Sequence, residues 1–524
     1  MKKLIIIFSM FISFIACEQE KEEVKRIQWT SSSSEAISLF NEFIMNIEHR
    51  RWNPEKQEAL MDSILKIDPE FHVAKTYDNF GTREERQTSF LSAYENRDQL
   101  SEIEKRMIEA EYEIRVNGNR NKQDQLMDEL IIDFPEYYQL RIWSGDIKNQ
   151  LDVKSSKIRW EEALNINPKA FEAIANLAFL HFPTGNDFNM LAEDERDLNE
   201  AEAMLKKGEQ LYPNSSRWPR FLGNVYRAQS DFDKALTSYK KSLELIEKYE
   251  AGKESNPYAN SLLMVGHVNT FQGNYDEARK YYDQAIEISN SWWKVAISEL
   301  KAHTYIYQKD FSKAIFLLSD VQEKIKEFDE EEIFKINTTS FLERTKFLAF
   351  GHSQKEEETL LSMEKNRKLG EQRLSIQLAN AVDENQKSRF ILDNKTGNLA
   401  QQIWFNILFG NYEKSNELMG EFKSLVEQQS AYNSNAYDEY HKFDGYLKLM
   451  EGNPEESIVA YSNLSKEVLG NDGYHAYFLA LAKKATGQNE ESKEMFVRLA
   501  NDNFATWQNA IVKNLAKAQI KTNI

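Results

Sequence analysis

The residues able to do chemistry in this 524-residue chain are few and poorly grouped. The eight histidines, His49, His72, His181, His267, His303, His352, His441 and His475, are scattered from end to end. No HExxH, CxxC, EF-hand loop, P-loop or GxSxG elbow occurs, so the spacings that build zinc, calcium, phosphate or activated-serine sites are missing. Gly252-Lys253-Glu254-Ser255 lacks the leading glycine of a phosphate loop, and Asn471-Asp472-Gly473 reads as a turn. His267 and His303 are a pair that a repeated architecture could bring together, but the sequence places no carboxylate beside them. The expectation is a non-enzyme with no cofactor and no metal. The single thiol, Cys17, cannot form an intramolecular disulfide, so its position needs another reason.

That reason lies in the residues before it. Lys2 and Lys3 precede an apolar run from Leu4 to Ile15, broken only by Ser9 and Ser13. The run is too short to span a bilayer and has the length of a signal-peptide core. Phe14-Ile15-Ala16-Cys17 resembles the lipobox of bacterial lipoproteins. The resemblance implies a signal peptide over 1–16, acylation of Cys17 (palmitate among the chains) and a membrane anchor there. Each buried CH₂ of such chains contributes about 0.8 kcal/mol. Residues 17–31, opening Glu18-Gln19-Glu20-Lys21-Glu22-Glu23, are expected to form an acidic tether. The expected location is the cell envelope, at the outer membrane, on its periplasmic or surface side.

The elements behind this leader are helical. Hydrophobic residues make up 41% of the chain, enough for a sizeable core. Glycine (19) and proline (9) are too scarce for the frequent turns of an all-β fold. The net charge is −18 and no basic stripe is segregated, which argues against a nucleic-acid partner. Ser32 and Glu35 have capping-box spacing, and Ile37, Phe40, Ile44 and Ile47 follow at helical intervals.

Helices then recur in pairs. From Gly266, the offsets 7, 9, 12, 16 and 19 give Gly273, Tyr275, Ala278, Tyr282 and Ala285. From Gly223 they give Ser230, Phe232, Ala235, Tyr239 and Ser242, and from Ala302, Lys309, Phe311, Ala314, Leu318 and Val321. A small origin residue lets two helices cross closely, and the seventh place favours glycine because the first helix must stop in a left-handed conformation. Looser units start at Ser144, Ile403, Gly445 and Ala480, and another runs from Ala178 to Ala201 around an 11-residue insertion near 183–193. Pro69, Pro135, Pro168 and Pro213 punctuate the first half. This pattern resembles the tetratricopeptide repeat (TPR), a 34-residue helix–turn–helix. The resemblance implies an all-α fold of hairpins stacked in a right-handed solenoid. The expected division is a repeat block over 32–329 of about six to seven units, an irregular helical bridge over 330–398 and a C-terminal block over 399–518.

In such solenoids the first helices of successive units line a concave groove. Carried residue by residue onto this chain, the groove positions are Arg217, Arg220, Asn224 and Arg227, then Asn260, His267 and Thr270, then His303. Arg220 with Asn224 resembles half of a clamp for a peptide carboxylate. Met264 and Ala296 replace its other half, which leaves an anion-favouring patch. The function implied is a protein–protein interaction scaffold that holds a peptide or helix of another envelope protein. The alternative is a glycan-binding outer-membrane lipoprotein that stacks sugars on its aromatics. Most aromatics are expected core, but of Trp292-Trp293 at least one is expected to be exposed or at a unit junction, because adjacent residues on a helix cannot share one face.

Overall fold

The computed structural model describes residues 24–50, 53–183 and 188–521. The expected signal peptide, Cys17 and the first part of the tether lie outside the described residues. Within them the chain forms 26 α-helices and two short 3-10 turns, arranged as consecutive antiparallel hairpins, with no strand. This is an all-α helical-repeat solenoid.

The repeat positions do what their residue types require. A Cβ on Gly266 would come within 2.4 Å of the Tyr282 ring, one on Gly223 within 2.4 Å of Tyr239, and one on Gly445 within 2.7 Å of Tyr461. The origin is therefore small because the bulky sixteenth residue lies flat on it. Gly273, at the seventh place, takes φ 82°; Ser230 and Lys309 take 64° and 61° there without a glycine. Phe232, Tyr275, Phe311 and Tyr412 then open the second helices. Ala235, Ala278, Ala314, Ser415, Ser457 and Ser492 are all buried where helix meets helix. The proline punctuation also fits, with helices ending at Ile67, Asp133, Ile166 and Leu211.

Three expectations need correction. The tether does not run free to residue 31: Ile27 and Trp29 are buried, Arg26 pairs with Glu48 at 2.7 Å, and Trp29 Nε1 donates to Asn41 at 3.0 Å. Two apolar side chains in that stretch are enough to dock it on the first helix, Ser34–Glu48. Second, Ser33 is that helix's cap, its hydroxyl accepting from Ala36 N; Ser32 is occupied instead by Asp68, which accepts from its N–H at 3.0 Å. Third, the bridge at 330–398 is no separate element. Glu332–His352 and Glu356–Ala379 pair as a hairpin of unusually long helices, and Glu384–Leu408 runs straight through the expected boundary.

The solenoid returns onto itself. Arg83 N donates to Glu331 Oε1 at 2.9 Å across 248 residues, and Gln386 Nε2 to Val116 O at 3.2 Å across 270. Asn435 Nδ2 reaches Gln150 O at 3.1 Å across 285 residues, and Lys466 pairs with Asp194 at 2.8 Å across 272. Thirteen α-helices, about six and a half hairpins, lie along each of these spacings and make one superhelical turn. The second turn thus seats on the first along polar contacts. The end of the insertion supplies two of them: beside Asp194, which pairs with Lys466, Glu193 binds Arg498.

Candidate functional site

The inner face of the first turn is built by the first helices Tyr138–Asn149, Phe171–Phe179, Arg217–Ala228, Asn256–Phe271 and Ser291–Tyr307. Side chains tie these helices together laterally. Arg217 Nε donates to Arg50 O at 2.7 Å, the Arg50 guanidinium to Asn176 Oδ1 at 2.5 Å, and Asn176 Nδ2 to Asp146 Oδ1 at 2.8 Å. Arg50 is central to this network and was not foreseen. It sits in the turn after the first helix at φ 51°, outside any repeat position, so no offset could point to it.

Of the eight groove residues expected from the repeat, six are buried: Arg217, Asn224, Arg227, His267, Thr270 and His303. They form packed wall and not an open groove, for two reasons. The first is the tyrosine at the sixteenth place. Its hydroxyl passes the small origin residue and binds the neighbour on the inner side. Tyr239 OH donates to Asn224 Oδ1 at 2.8 Å, and Tyr282 OH bonds His267 Nδ1 and Thr270 Oγ1, each at 2.9 Å. Burial, with Arg227 and His303 nearby, drives the His267 imidazole well below its usual pKa, so it is neutral.

The second reason is the chain's own C-terminus. Asn503 Nδ2 donates to Arg227 O at 3.1 Å and to Ser230 Oγ at 2.9 Å. The last helix, Trp507–Lys521, lies against Ser291–Tyr307, where Asn514 Nδ2 reaches Tyr307 O at 2.8 Å and Lys513 sits over the Phe271 ring. Arg227 is 2% exposed, and the hydrogen bond of its guanidinium among the described residues goes to the Met264 sulfur at 3.4 Å. His303 stands 3.7 Å from Glu299, which accepts from Thr345 Oγ1. Among the described residues no group of three or more histidine, cysteine or carboxylate side chains could hold a metal.

The arginines divide by role. Arg217 is committed to Glu250 at 3.1 Å. Arg220, half-buried over the Phe221 ring, has no carboxylate partner among the described residues, and its Nε is unbonded. Burial first, then Arg217 and Arg50, pull its guanidinium down to about 9, against the pull of Glu250. The local field therefore favours an anion at Arg220. Asn260, also half-buried, leaves its buried Oδ1 without a partner. Trp292 is 43% exposed with its ring near Phe341, as the adjacent tryptophans implied.

Residues 216–291 match the family model for the tetratricopeptide repeat. No curated protein matches the chain significantly. Among solved structures, a Rap protein complexed with Competence and Sporulation Factor aligns at 14% identity, covering 81% of this chain and 99% of its own, with a TM-score of 0.36. BtubC (BKLC) from P. vanneervenii aligns at 14% identity, covering 45% of this chain and 90% of its own, with a TM-score of 0.30.

Proposed function

We propose that the chain is a non-catalytic protein–protein interaction scaffold of the bacterial cell envelope. It is anchored through an acylated Cys17 and holds a peptide or helix of another envelope protein against its inner face. The observation that carries this reading is Arg220, a half-buried guanidinium on the inner wall with no carboxylate of its own among the described residues. A guanidinium taken out of water without a partner costs free energy, and an acidic side chain from another protein would offset that cost. The matched repeat at 216–291 contains this residue. Proteins built from such repeats work through side chains displayed on a long curved surface, with no chemical centre.

The test is comparative capture from detergent-solubilised envelopes with the parent chain and Arg220→Glu. A defined protein that is retained by the parent and lost with Arg220→Glu is the expected result. An identical set of captured proteins for the two would refute the role of Arg220. For the anchor, Cys17→Ser should move the chain from the detergent to the aqueous phase on phase separation.

A further inference from the structure

A cavity of about 590 Å³ opens on the first turn, and its Asp146 is the far end of the chain of hydrogen bonds from Arg217 through Arg50 and Asn176. It exists because one first helix is short. His72–Tyr77 has six residues, whereas Glu102–Arg115 and Tyr138–Asn149 on its far side have 14 and 12. The missing turn leaves space that Met107, Met127, Trp143 and Ile147 line with apolar surface.

The polar groups of the wall are unevenly satisfied. Glu104 is fully occupied, accepting from Thr30 N at 2.6 Å, from Thr30 Oγ1 and from Ser101. Glu111 is taken by Arg115 at 3.0 Å and by Gln123 Nε2 at 3.1 Å. Three groups are left over. Arg120 has no hydrogen bond or ion pair with any described residue, and burial lowers its pKa against the pull of Glu111. Asp146 is exposed and accepts from Trp160 and Asn176 but has no ion pair, and the surrounding protein pushes its carboxyl up to about 6 against Arg50 and these two bonds. Gln123 is 3% exposed, yet its Oε1 accepts nothing. An unpaired cation, an unpaired anion and an idle acceptor thus share one apolar cavity. The buried Gln123 acceptor is costly to leave unmet, Arg120 and Asp146 keep contact with solvent, and a ligand carrying the complementary set would meet all three.

We propose that this cavity binds a small apolar zwitterion, a free peptide of two or three residues. Its carboxylate lies on Arg120, its ammonium on Asp146, and an amide N–H on Gln123. The apolar side chains fill the space between Met107, Met127 and Trp143. The volume falls within the roughly 300–1,000 Å³ of pockets that enclose small ligands. Arg220 does not line this cavity, so the site stands whether or not a protein partner is found at Arg220.

The test is calorimetry of the full chain with a panel of free apolar di- and tripeptides, including trileucine, and with the N-acetylated and C-amidated forms of each. Free peptides should bind. Each capped form should bind at least about tenfold more weakly, because it loses one charge-assisted contact. Arg120→Gln and Asp146→Asn should reproduce those losses at an unchanged melting temperature, and Ile114→Trp, at the cavity wall, should block binding. Equal affinity for free and capped forms would overturn the proposal. So would parent-like binding by Arg120→Gln and Asp146→Asn, or no binding by any free peptide in the panel.

Discussion

Gly266→Ala isolates the contact that the repeat depends on. The added Cβ would stand 2.4 Å from Tyr282 Cε1 and 2.7 Å from Cδ1, where carbon pairs normally sit about 3.5–4.0 Å apart. The ring must therefore retreat by about 1 Å. It is 1% exposed, so retreat means pushing into packed neighbours, which costs about 1–3 kcal/mol. Retreat also strains the bonds from Tyr282 OH to His267 and Thr270, whose loss inside the core costs about 1–3 kcal/mol more. Alanine is the better helix former by about 1 kcal/mol, which works the other way. The net expectation is a loss of about 3 kcal/mol, read as a shift in denaturant midpoint together with faster hydrogen exchange across 256–287. Gly273→Ala is the control. Its Cβ would meet nothing within 4 Å, so only the cost of φ 82° remains, about 1–2 kcal/mol. Pairing Gly266→Ala with Tyr282→Leu should recover much of the loss, since neighbours in contact couple. If Gly266→Ala is as stable as the parent, close crossing at the origin is not what shapes these hairpins.

Other consequences are equally direct. Burial holds His352 and His475 down at about 4, so between pH 6.5 and 4 the unfolded chain binds protons that the folded chain refuses. Their contribution is therefore whole above pH 6.5 and is lost as pH falls through that window, by about 3 kcal/mol each at the acid end. His352→Gln should flatten the decline in denaturant midpoint over this range, and an unchanged slope would show the imidazole is not buried neutral. Lys466 and Asp194 bridge the two turns with side chains 76% and 62% exposed, and such pairs weaken as salt screens them. At about 1 M salt, where the screening length is near 3 Å, exchange should quicken at 193–197 and 466–471 while 256–287 stays protected. Equal protection in low and high salt would mean the turns are held by something other than these charges. Asn503→Ala removes the bonds to Arg227 O and Ser230 Oγ and should loosen the C-terminal segment by about 1–2 kcal/mol, seen as faster exchange over 502–521.

What could be read from the sequence was local. The step from Gly266 to Tyr282 is a contact within one hairpin, so residue type and spacing encode it fully. The same holds for Ser230 and Lys309, whose place in the offset series marked a left-handed turn that their types alone would not suggest. The inner face was harder. Groove positions derived from one unit assume that the face stays open, whereas Asn503 and Asn514 arrive from the far end of the chain to cover it. No period within one unit carries that information. Ile27 and Trp29 show the same limit at the other end: an acidic composition pointed to a tether, but two apolar side chains decided the docking. The cavity beside His72–Tyr77 left one trace. The run from 83 to 115 lacks the small residues of the repeat, and that irregular stretch adjoins the truncated helix.

The solenoid closes after about six and a half hairpins, bringing residues some 270 positions apart into contact. Zero-length carbodiimide coupling of the native chain, read by peptide mass spectrometry, measures this without any substitution. Lys466 Nζ lies 2.8 Å from Asp194 Oδ2, so an amide between them, spanning 272 residues, is the expected product. Coupling confined to neighbouring hairpins, with Lys466 and Asp194 never joined, would contradict the closed superhelix.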